Sequence, residues 1–237
     1  MIDKERLSSM IIAQGLEPKE KALERLSKYA ELLKEWNEKI NLTAITEDEE
    51  IEVKHFLDSL MLLKYADIPQ GASLIDVGTG AGFPSVPCLC QRDDIKLTLL
   101  DSLLKRLKFL DLLCQELGVN ATTEHYRAED GGHAKNLREK FDFATSRAVA
   151  NLRDLSEFCL PFVKVGGYFV ALKGFDCDEE IDLAKPAIKK LGGKIERVEK
   201  FDLPMDNKRA IIIIKKLSQT PPQFPRKPHV MAKKPIV

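Results

Sequence analysis

The chain has 237 residues, 44% apolar and 31% charged, the composition of an ordinary soluble globular protein with one medium-sized domain and short extensions. Its 37 basic and 37 acidic residues cancel, but no Asp or Glu follows Asp206, so the final segment is basic and the rest is acidic. No stretch approaches the roughly 20 apolar residues of a membrane-spanning helix, and the charged first ten residues lack the apolar core of a signal peptide, so we expect a cytoplasmic protein.

The N-terminal quarter predicts helices. Apolar residues recur at helical spacing from Leu23 to Trp36, interleaved with Lys and Glu, after a start signal at Glu17-Pro18. A second helical stretch covers Val53 to Tyr65. The turn Ile68-Pro69-Gln70-Gly71 follows it and is the best domain boundary. We therefore interpret residues 1–68 as a helical extension.

Beyond that turn, strands and helices alternate along the chain. This alternation predicts an α/β fold, a Rossmann-like, mostly parallel sheet of seven strands with helices on both faces, within residues 69–217. The last two strands follow each other directly, which predicts an antiparallel hairpin at one edge. The predicted strands cover residues 74–77, 96–100, 121–125, 141–145, 168–172, 195–200 and 209–216, and the predicted helices cover residues 86–90, 103–117, 152–160 and 179–191.

The last segment, residues 218–237, is rich in proline and basic residues. The prolines predict an irregular, extended tail. Its basic residues follow Lys208, Arg209, Lys215 and Lys216 in a stretch without acids, which suggests an anionic partner. The alternative is a solvated strand followed by a solubilising tail. The basic residues of the tail itself are Arg226, Lys227, Lys233 and Lys234.

Cysteine and histidine spacing predicts neither disulfides nor a metal site. The five cysteines are an odd number without paired spacing, and Cys88 and Cys90 are separated by one residue, so no CxxC pattern occurs. The four histidines are scattered. We expect free, buried cysteines and no bound metal.

A glycine-rich turn directly follows the first predicted strand. Gly78, Gly80 and Gly82 form a GxGxG pattern, whereas the dinucleotide fingerprint is GxGxxG, with a pyrophosphate on the helix N-terminus. Asp76 stands just before the turn and would repel a pyrophosphate, but it complements the cationic amino group of S-adenosylmethionine (SAM). The turn therefore predicts SAM binding, and a glycine turn without a ligand is the alternative.

Two further acidic positions follow the second and third strands. Asp101 lies about 20 residues past the turn, where a carboxylate suits hydrogen bonds to ribose hydroxyls; a helix N-cap is its alternative role. Ala128-Glu129-Asp130 follows the third strand and is placed to accept from an adenine amino group, or to form only a solvated acidic turn. SAM and NAD both contain a ribose, so Asp101 alone does not distinguish a SAM site from an NAD site.

The loop after the fourth strand, Ser146-Arg147-Ala148-Val149-Ala150, should lie at the reacting end of the ligand. It carries no Asn-Pro-Pro-Tyr motif for methylating exocyclic amines and no cysteine nucleophile. Arg147 is expected at the mouth of the pocket, where its planar guanidinium suits the cofactor carboxylate or an RNA phosphate. A purely structural pair with Asp154 is the alternative.

These motifs together resemble the RsmG (GidB) family, bacterial SAM-dependent methyltransferases that modify guanine N7 in small-subunit (16S) ribosomal RNA. The resemblance starts near Trp36-Asn37, runs through the tail, and rests on LIDVGTGAGFPSVP, LLDSLLKRLKFL, YRAED, SRAVANL, LPFVKVGG, ALKG and FPRKP. It implies cofactor contacts at Gly78, Phe83, Ala128, Glu129 and Arg147. His55-Phe56-Leu57-Asp58-Ser59 also resembles the family, and we expect structural roles for it.

The resemblance implies methyl transfer to guanine N7, whose in-plane lone pair carries no proton. No general base is then needed, and Arg147 would act by positioning. An exposed loop guanine is the expected target, because the major groove of A-form RNA is deep and narrow. We expect a monomer that acts on 16S ribosomal RNA or the small-subunit particle.

Two other functions remain open from the residues alone. An NAD-dependent oxidoreductase would use the same strand–turn–helix unit, although Asp76 and the GxGxG spacing argue against it. An RNA-binding module with a vestigial nucleotide site is the non-enzyme alternative.

The tail carries a separate prediction. An RNA-binding surface is expected to include Arg226, Lys227, Lys233 and Lys234, with Lys215 and Lys216 nearby. Truncation after Ser218 is expected to weaken RNA binding and its salt dependence while leaving SAM binding nearly intact, because all the predicted SAM residues precede residue 150. Phe224 could stack on a base, but packing against the domain is its expected role.

Overall fold

The computed structural model describes residues 1–147 and 150–237. Its strands are β1 (Ser73–Val77), β2 (Lys96–Asp101), β3 (Ala121–His125), β4 (Phe141–Arg147), β5 (Val163–Gly174), β6 (Gly193–Leu203) and β7 (Asn207–Lys216). Its helices are α1 (Lys4–Ala13), α2 (Glu20–Asn37), α3 (Asp48–Glu50), α4 (Asp58–Tyr65), α5 (Ser85–Gln91), α6 (Leu104–Leu117), α7 (Ala128–Gly131), α8 (Leu152–Cys159), α9 (Asp178–Lys190) and α10 (Pro228–Lys233). A π-helical segment, Ile51–Leu57, joins α3 to α4, and a 3₁₀ turn, Leu160–Phe162, follows α8.

The seven strands form one sheet in the order β3-β2-β1-β4-β5-β7-β6. Neighbours from β3 to β5 pair in parallel, whereas β7 is antiparallel to both β5 and β6. This confirms the predicted mostly parallel, seven-stranded α/β fold with a terminal antiparallel hairpin. The chain leaves β1 towards β2 on one side and returns to β4 on the other, so the strand order reverses between β1 and β4, where such sheets bind ligands.

The strand β7 shows why the sheet is covered on both faces. In Ile211–Ile214, the odd-numbered side chains belong to one apolar core and the even-numbered side chains to the other, and all four are buried. Side chains alternate across a strand, so a continuous apolar run is expected where helices cover both faces. Helices α2, α4, α5 and α6 cover the first face, and α8, α9 and the C-terminal tail cover the second.

The N-terminal helices share the core of the first face. Leu7 of α1, Leu26 of α2 and Phe56 of the π-helical segment are all completely or almost completely buried there. The helix α1 and the π-helical geometry were not predicted, since an amphipathic pattern does not distinguish an α-helix from a π-helix over two turns. The division into residues 1–68, 69–217 and 218–237 remains a proposal.

The tail differs from the extended segment expected from its prolines. It contains helix α10 and packs on the second face of the sheet, where Phe224, Met231 and Ile236 are buried. Arg138 donates hydrogen bonds from its guanidinium to the carbonyls of Thr220 and Phe224, both at 2.8 Å. The tail is irregular outside α10, as expected, but the expectation of an extended segment that does not pack into a core was wrong, because apolar residues between the prolines are buried.

The expected packing role of Phe224 agrees with its burial. All five cysteines are buried and free. Within residues 1–147 and 150–237, no group of acidic, cysteine and histidine side chains could hold a metal ion. No helix of the described chain is long and apolar enough to cross a membrane.

Candidate active site

A cavity of about 440 Å³ lies at the carboxyl ends of β1, β2 and β4. This is the position where a parallel sheet with reversed strand order leaves a crevice, and the volume suits a ligand of nucleoside size. We call it the cofactor cavity. It is lined by Leu42, His55, Val77, Gly78, Thr79, Gly80, Ala81, Phe83, Leu100, Asp101, Ser102, Arg106, Tyr126, Arg127, Ala128, Glu129, Arg147 and Phe158.

The glycine turn gives this cavity its floor. Gly78, Gly80 and Gly82 have φ values of 71°, 61° and 101°, a region that L side chains rarely adopt. At Gly82 space is also limiting, because an added Cβ would lie 2.6 Å from the Tyr29 hydroxyl and 2.8 Å from Val86. Gly82 therefore lets the turn pack on α2 and α5, while Gly78 and Gly80 line the cavity.

Asp76 occupies a different place from the one expected of an amino-group ligand. It is fully buried under the turn, and the described lining of the cavity does not include it. One carboxylate oxygen accepts hydrogen bonds from Thr79 at 2.9 Å and Ser85 at 2.5 Å; the other has no partner among the described residues. Burial raises the pKa of Asp76 to about 7. Asp76 thus ties the turn to the start of α5.

Asp101 lies where the sequence predicts, at the end of β2 and in the cavity wall. Its carboxylate accepts the Gly80 N–H at 3.0 Å and the Leu103 N–H at 2.9 Å, so it also holds the glycine turn and the start of α6. Arg106 approaches the same carboxylate at 3.5 Å, and its Nε has no hydrogen-bond partner in the described part of the chain. The N-cap residue of α6 is Leu103, so the alternative N-cap role of Asp101 is not observed. A ligand role is compatible with the two bonds that Asp101 accepts, because each carboxylate oxygen can accept more than one bond.

The residues predicted to lie near an adenine group come from α7. Ala128 and Glu129 both line the cavity, and Glu129 is buried, whereas Asp130 is exposed and pairs with Lys227 of the tail at 2.5 Å. Of the three predicted positions, two therefore face the cavity and the third faces the tail. The tail also reaches this loop through Pro225, which leaves no space for a Cβ on Gly132.

Aromatic rings form the wall between the turn and the N-terminal helices. Phe83 stacks on His55 with ring centroids 4.2 Å apart and on Tyr29 with centroids 5.2 Å apart. The Tyr29 hydroxyl donates to the Ala81 carbonyl at 2.5 Å, which fixes the turn from behind. The predicted cavity position of Phe83 is therefore supported by two stacking partners that come from the N-terminal helical extension.

Arg147 is expected at the pocket mouth, and the structure places it in the cavity wall with its guanidinium 5.0 Å from the Phe83 ring centroid. Its ion-pair partner is Asp58, at 2.8 Å, and not Asp154, which was the predicted structural alternative. Arg147 also donates to the Lys54 carbonyl at 3.0 Å. Arg209 of β7 binds the same Asp58 carboxylate at 2.8 Å. Two further residues of the predicted loop, Ala148 and Val149, lie outside the described residues.

His55 connects Arg147 to the aromatic wall. Its Nδ1 lies 3.1 Å from the Arg147 guanidinium and must accept, because a guanidinium only donates. Its Nε2 lies 2.8 Å from the Thr43 hydroxyl and therefore carries the proton. Burial and the neighbouring Arg147 charge lower the pKa of His55 to about 3, so the imidazole is neutral at physiological pH.

Three of these residues have roles that the sequence did not predict. His55 and Asp58 were interpreted as structural, and Arg209 was assigned only to the basic final segment. The available signal was a histidine and an aspartate three residues apart in a helical stretch that is otherwise strongly apolar. A buried carboxylate such as Asp58 needs cationic partners, but Arg147 and Arg209 lie 89 and 151 residues away from it in the chain.

Comparison with known proteins agrees with this architecture. Residues 22–211 match the family model GidB, described as rRNA small subunit methyltransferase G. The chain is 50% identical over 224 residues to ribosomal RNA small subunit methyltransferase G of Clostridium novyi, covering 94% of this chain and 92% of the relative. It is 51% identical over 211 residues to the protein of the same name from Desulforamulus reducens, covering 88% of each.

A solved structure shows the fold at low sequence identity. TrmN from Thermus thermophilus superposes with a TM-score of 0.54 at 16% identity, covering 68% of this chain and 48% of that chain. Because the family model spans most of the chain and the relatives match nearly their full length, the comparisons identify this protein as a member of the GidB family of small-subunit ribosomal RNA methyltransferases.

Proposed function

We propose that this protein transfers a methyl group from SAM to N7 of a guanine in 16S ribosomal RNA. The observation that supports this most is the cofactor cavity, where the glycine turn, Asp101 and Glu129 meet at the reversal of strand order, next to Arg147. Membership of the family supports the RNA substrate, and the resemblance in sequence supports N7. The proposal includes a monomer working in the cytoplasm, where ribosomal subunits are assembled.

The residues present fit SAM. Asp101 offers carboxylate oxygens to ribose hydroxyls, and Glu129 offers an acceptor to the adenine amino group. The buried, unpartnered Arg106 Nε adds a donor among the described residues of the wall. Arg147 supplies a cation near the aromatic wall, suited to the cofactor carboxylate or to an RNA phosphate. Asp76 stays a proposed partner of the SAM amino group through its second carboxylate oxygen, which has no hydrogen-bond partner among the described residues, although the residue lies outside the described lining of the cavity.

When bound, SAM supplies a sulfonium methyl group, which passes to N7 while the C–S bond electrons remain on sulfur. The protein needs no base for this step, because N7 carries no proton. The nearby titratable residues agree with that requirement. The Nδ1 lone pair of His55 is occupied by Arg147, and both oxygens of Asp58 are occupied by guanidinium groups. Arg147 and His55 are therefore placed to position the reactants.

The tail contributes part of the proposed RNA surface. Lys227, Lys233 and Lys234 are exposed, whereas Arg226 is paired with the buried Glu157 at 2.7 Å. Lys216, expected near this surface, is completely buried and donates to the Leu160 carbonyl at 2.6 Å, so that expectation was wrong. The three exposed lysines remain proposed phosphate contacts, and Arg226 acts mainly in holding the tail.

Incubation with methyl-labelled SAM and small subunits from cells lacking the gene tests the proposal. Digestion to nucleosides and mass spectrometry should show the label in 7-methylguanosine, at one position of 16S RNA. An otherwise identical reaction with large subunits is the control and should remain unlabelled. Label in another nucleoside, or none in either reaction, would contradict the proposed function.

A further inference from the structure

A second cavity of about 290 Å³ adjoins the cofactor cavity. The two cavities share His55 and Arg147, so a ligand in the second would lie beside the reacting end of the first. We call it the polar cavity. Its described lining consists of Ile45, Lys54, His55, Asp58, Arg147, Leu203, Asn207 and Arg209.

The lining of the polar cavity carries an excess of positive charge. Lys54, Arg147 and Arg209 contribute three cations, and Asp58 is the acid among the described lining residues. The Asp58 side chain is only 3% exposed and both its oxygens accept from guanidinium groups, so it is shielded from a ligand. Glu50 pairs with Lys54 from outside the lining, which still leaves one net positive charge.

Hydrogen-bonding capacity in this cavity also favours an acceptor ligand. The Asn207 Nδ2 is buried and has no hydrogen-bond partner among the described residues. A buried donor without a partner is costly and calls for a ligand or water to satisfy it. Arg209 keeps 24% of its side chain exposed while bound to Asp58. The cavity therefore presents donors and positive charge to whatever enters it.

We propose that the polar cavity binds a backbone phosphate of the RNA next to the acceptor nucleotide. A phosphodiester carries one negative charge and oxygen acceptors, which match the net charge and the donors of Arg147, Asn207 and Arg209. Held there, the phosphate orients the acceptor base towards the cofactor cavity across the shared wall. This inference rests on the proposed function, since it assumes an RNA substrate.

Inorganic phosphate is the first probe. In an NMR titration of the full-length protein, phosphate should shift the Asn207 side-chain amide with saturation, whereas chloride at equal ionic strength and guanosine should not. A saturable shift with guanosine and none with phosphate would overturn the proposal, because the cavity would then hold the base. This titration needs no methylation, so it can succeed or fail independently of the proposed function.

The variant Asn207→Leu is the second test. Removing an unpartnered buried donor should leave the melting temperature unchanged or higher, and SAM affinity unchanged, because Asn207 lies outside the described lining of the cofactor cavity. RNA affinity should fall about ten- to a hundredfold, the scale of a lost charge-assisted hydrogen bond. Asn120→Leu, at an exposed position before β3, is the matched control. Equal RNA affinity in both variants would overturn the proposal.

Charge can be tested at Arg209. Arg209→Gln should lower the magnitude of the slope of log RNA affinity against log salt by about 0.7, the value expected for one lost phosphate contact on single-stranded RNA. Arg209→Lys keeps the charge and should therefore keep most of the wild-type slope. An unchanged slope in Arg209→Gln would contradict a phosphate in this cavity. If Arg209→Gln does not fold because Asp58 loses a partner, Asn207→Leu still decides the question.

Discussion

The glycine turn lines the cofactor cavity, whereas the C-terminal tail contacts the α7 region of its wall from outside, and the two segments are held in different ways. The turn, residues 78–83, is held mostly within its own strand–turn–helix unit, where Asp76 binds Thr79 and Ser85 and Asp101 binds Gly80; the Tyr29 hydroxyl adds one contact from α2. The tail is held across long separations, by Arg226 on Glu157, 69 residues away, and Lys227 on Asp130, 97 residues away. The site therefore combines a floor held mainly within one structural unit with an α7 wall that is supported by a distant segment of the chain.

This difference changes what truncation should do. Cutting after Ser218 removes the burial of Phe224, Met231 and Ile236, takes Arg226 from the buried Glu157, and takes Thr220 from the buried Lys216. We expect a loss of at least about 5 kcal/mol in the free energy of unfolding, measured with urea. SAM affinity should also fall, because Pro225 packs against Gly132 next to the adenine side. The earlier expectation of nearly intact SAM binding is thereby revised.

A triple variant, Lys227→Gln with Lys233→Gln and Lys234→Gln, separates charge from packing in the tail. It should keep stability and SAM affinity while weakening RNA binding and reducing its salt dependence. Full stability and SAM affinity in the truncated protein would show that the tail does not support the cavity.

The turn is tested by Gly82→Ala. The added methyl group meets Tyr29 and Val86 and forces a side chain onto a φ of 101°, so we expect a loss of about 3–4 kcal/mol in the free energy of unfolding. Gly118→Ala is the matched control. Its φ is +60°, but nothing lies within 4 Å of the added Cβ, so the loss should be about 1 kcal/mol. Equal losses at both positions would contradict the close packing inferred at Gly82.

Within the tail, Arg226 and Lys227 should behave differently although they are adjacent. Arg226 pairs with a Glu157 side chain that is 2% exposed, and Arg226→Gln should cost about 2–3 kcal/mol of stability. Lys227 pairs with Asp130 where both side chains are about half exposed, and Lys227→Gln should change stability by less than about 0.5 kcal/mol. Thermal unfolding of both variants measures this difference in stability. Equal, small losses in the two variants would show that the tail is only a solvated end.

The sequence predicted those features of the fold that repeat locally. Strand–helix alternation predicted all seven strands and the terminal hairpin, and the offset between Gly80 and Asp101 predicted two residues that are now hydrogen-bonded. These predictions were possible because the residues involved lie close together in the sequence, within one strand–turn–helix unit.

The rest depends on contacts between distant segments, which spacing does not encode. Asp58, Arg147 and Arg209 come from a helix and two strands, and each alone is an ordinary charge in a partly apolar stretch. Lys216 was assigned to the surface because it is a lysine in a basic segment, yet Glu139, Thr220 and the Leu160 carbonyl surround its ammonium group. The sequence pattern did not indicate that the end of β7, where Lys216 lies, is buried.

Binding of SAM by Asp101, in the cavity at the end of β2, is tested most directly by calorimetric titration of the wild type and Asp101→Asn. The wild type should bind one SAM, and Asp101→Asn should bind about 1–3 kcal/mol more weakly, the cost of leaving a buried polar partner unsatisfied. Asp111→Asn, exposed on α6, should bind like the wild type. Equal SAM affinity in Asp101→Asn and the wild type would contradict the account.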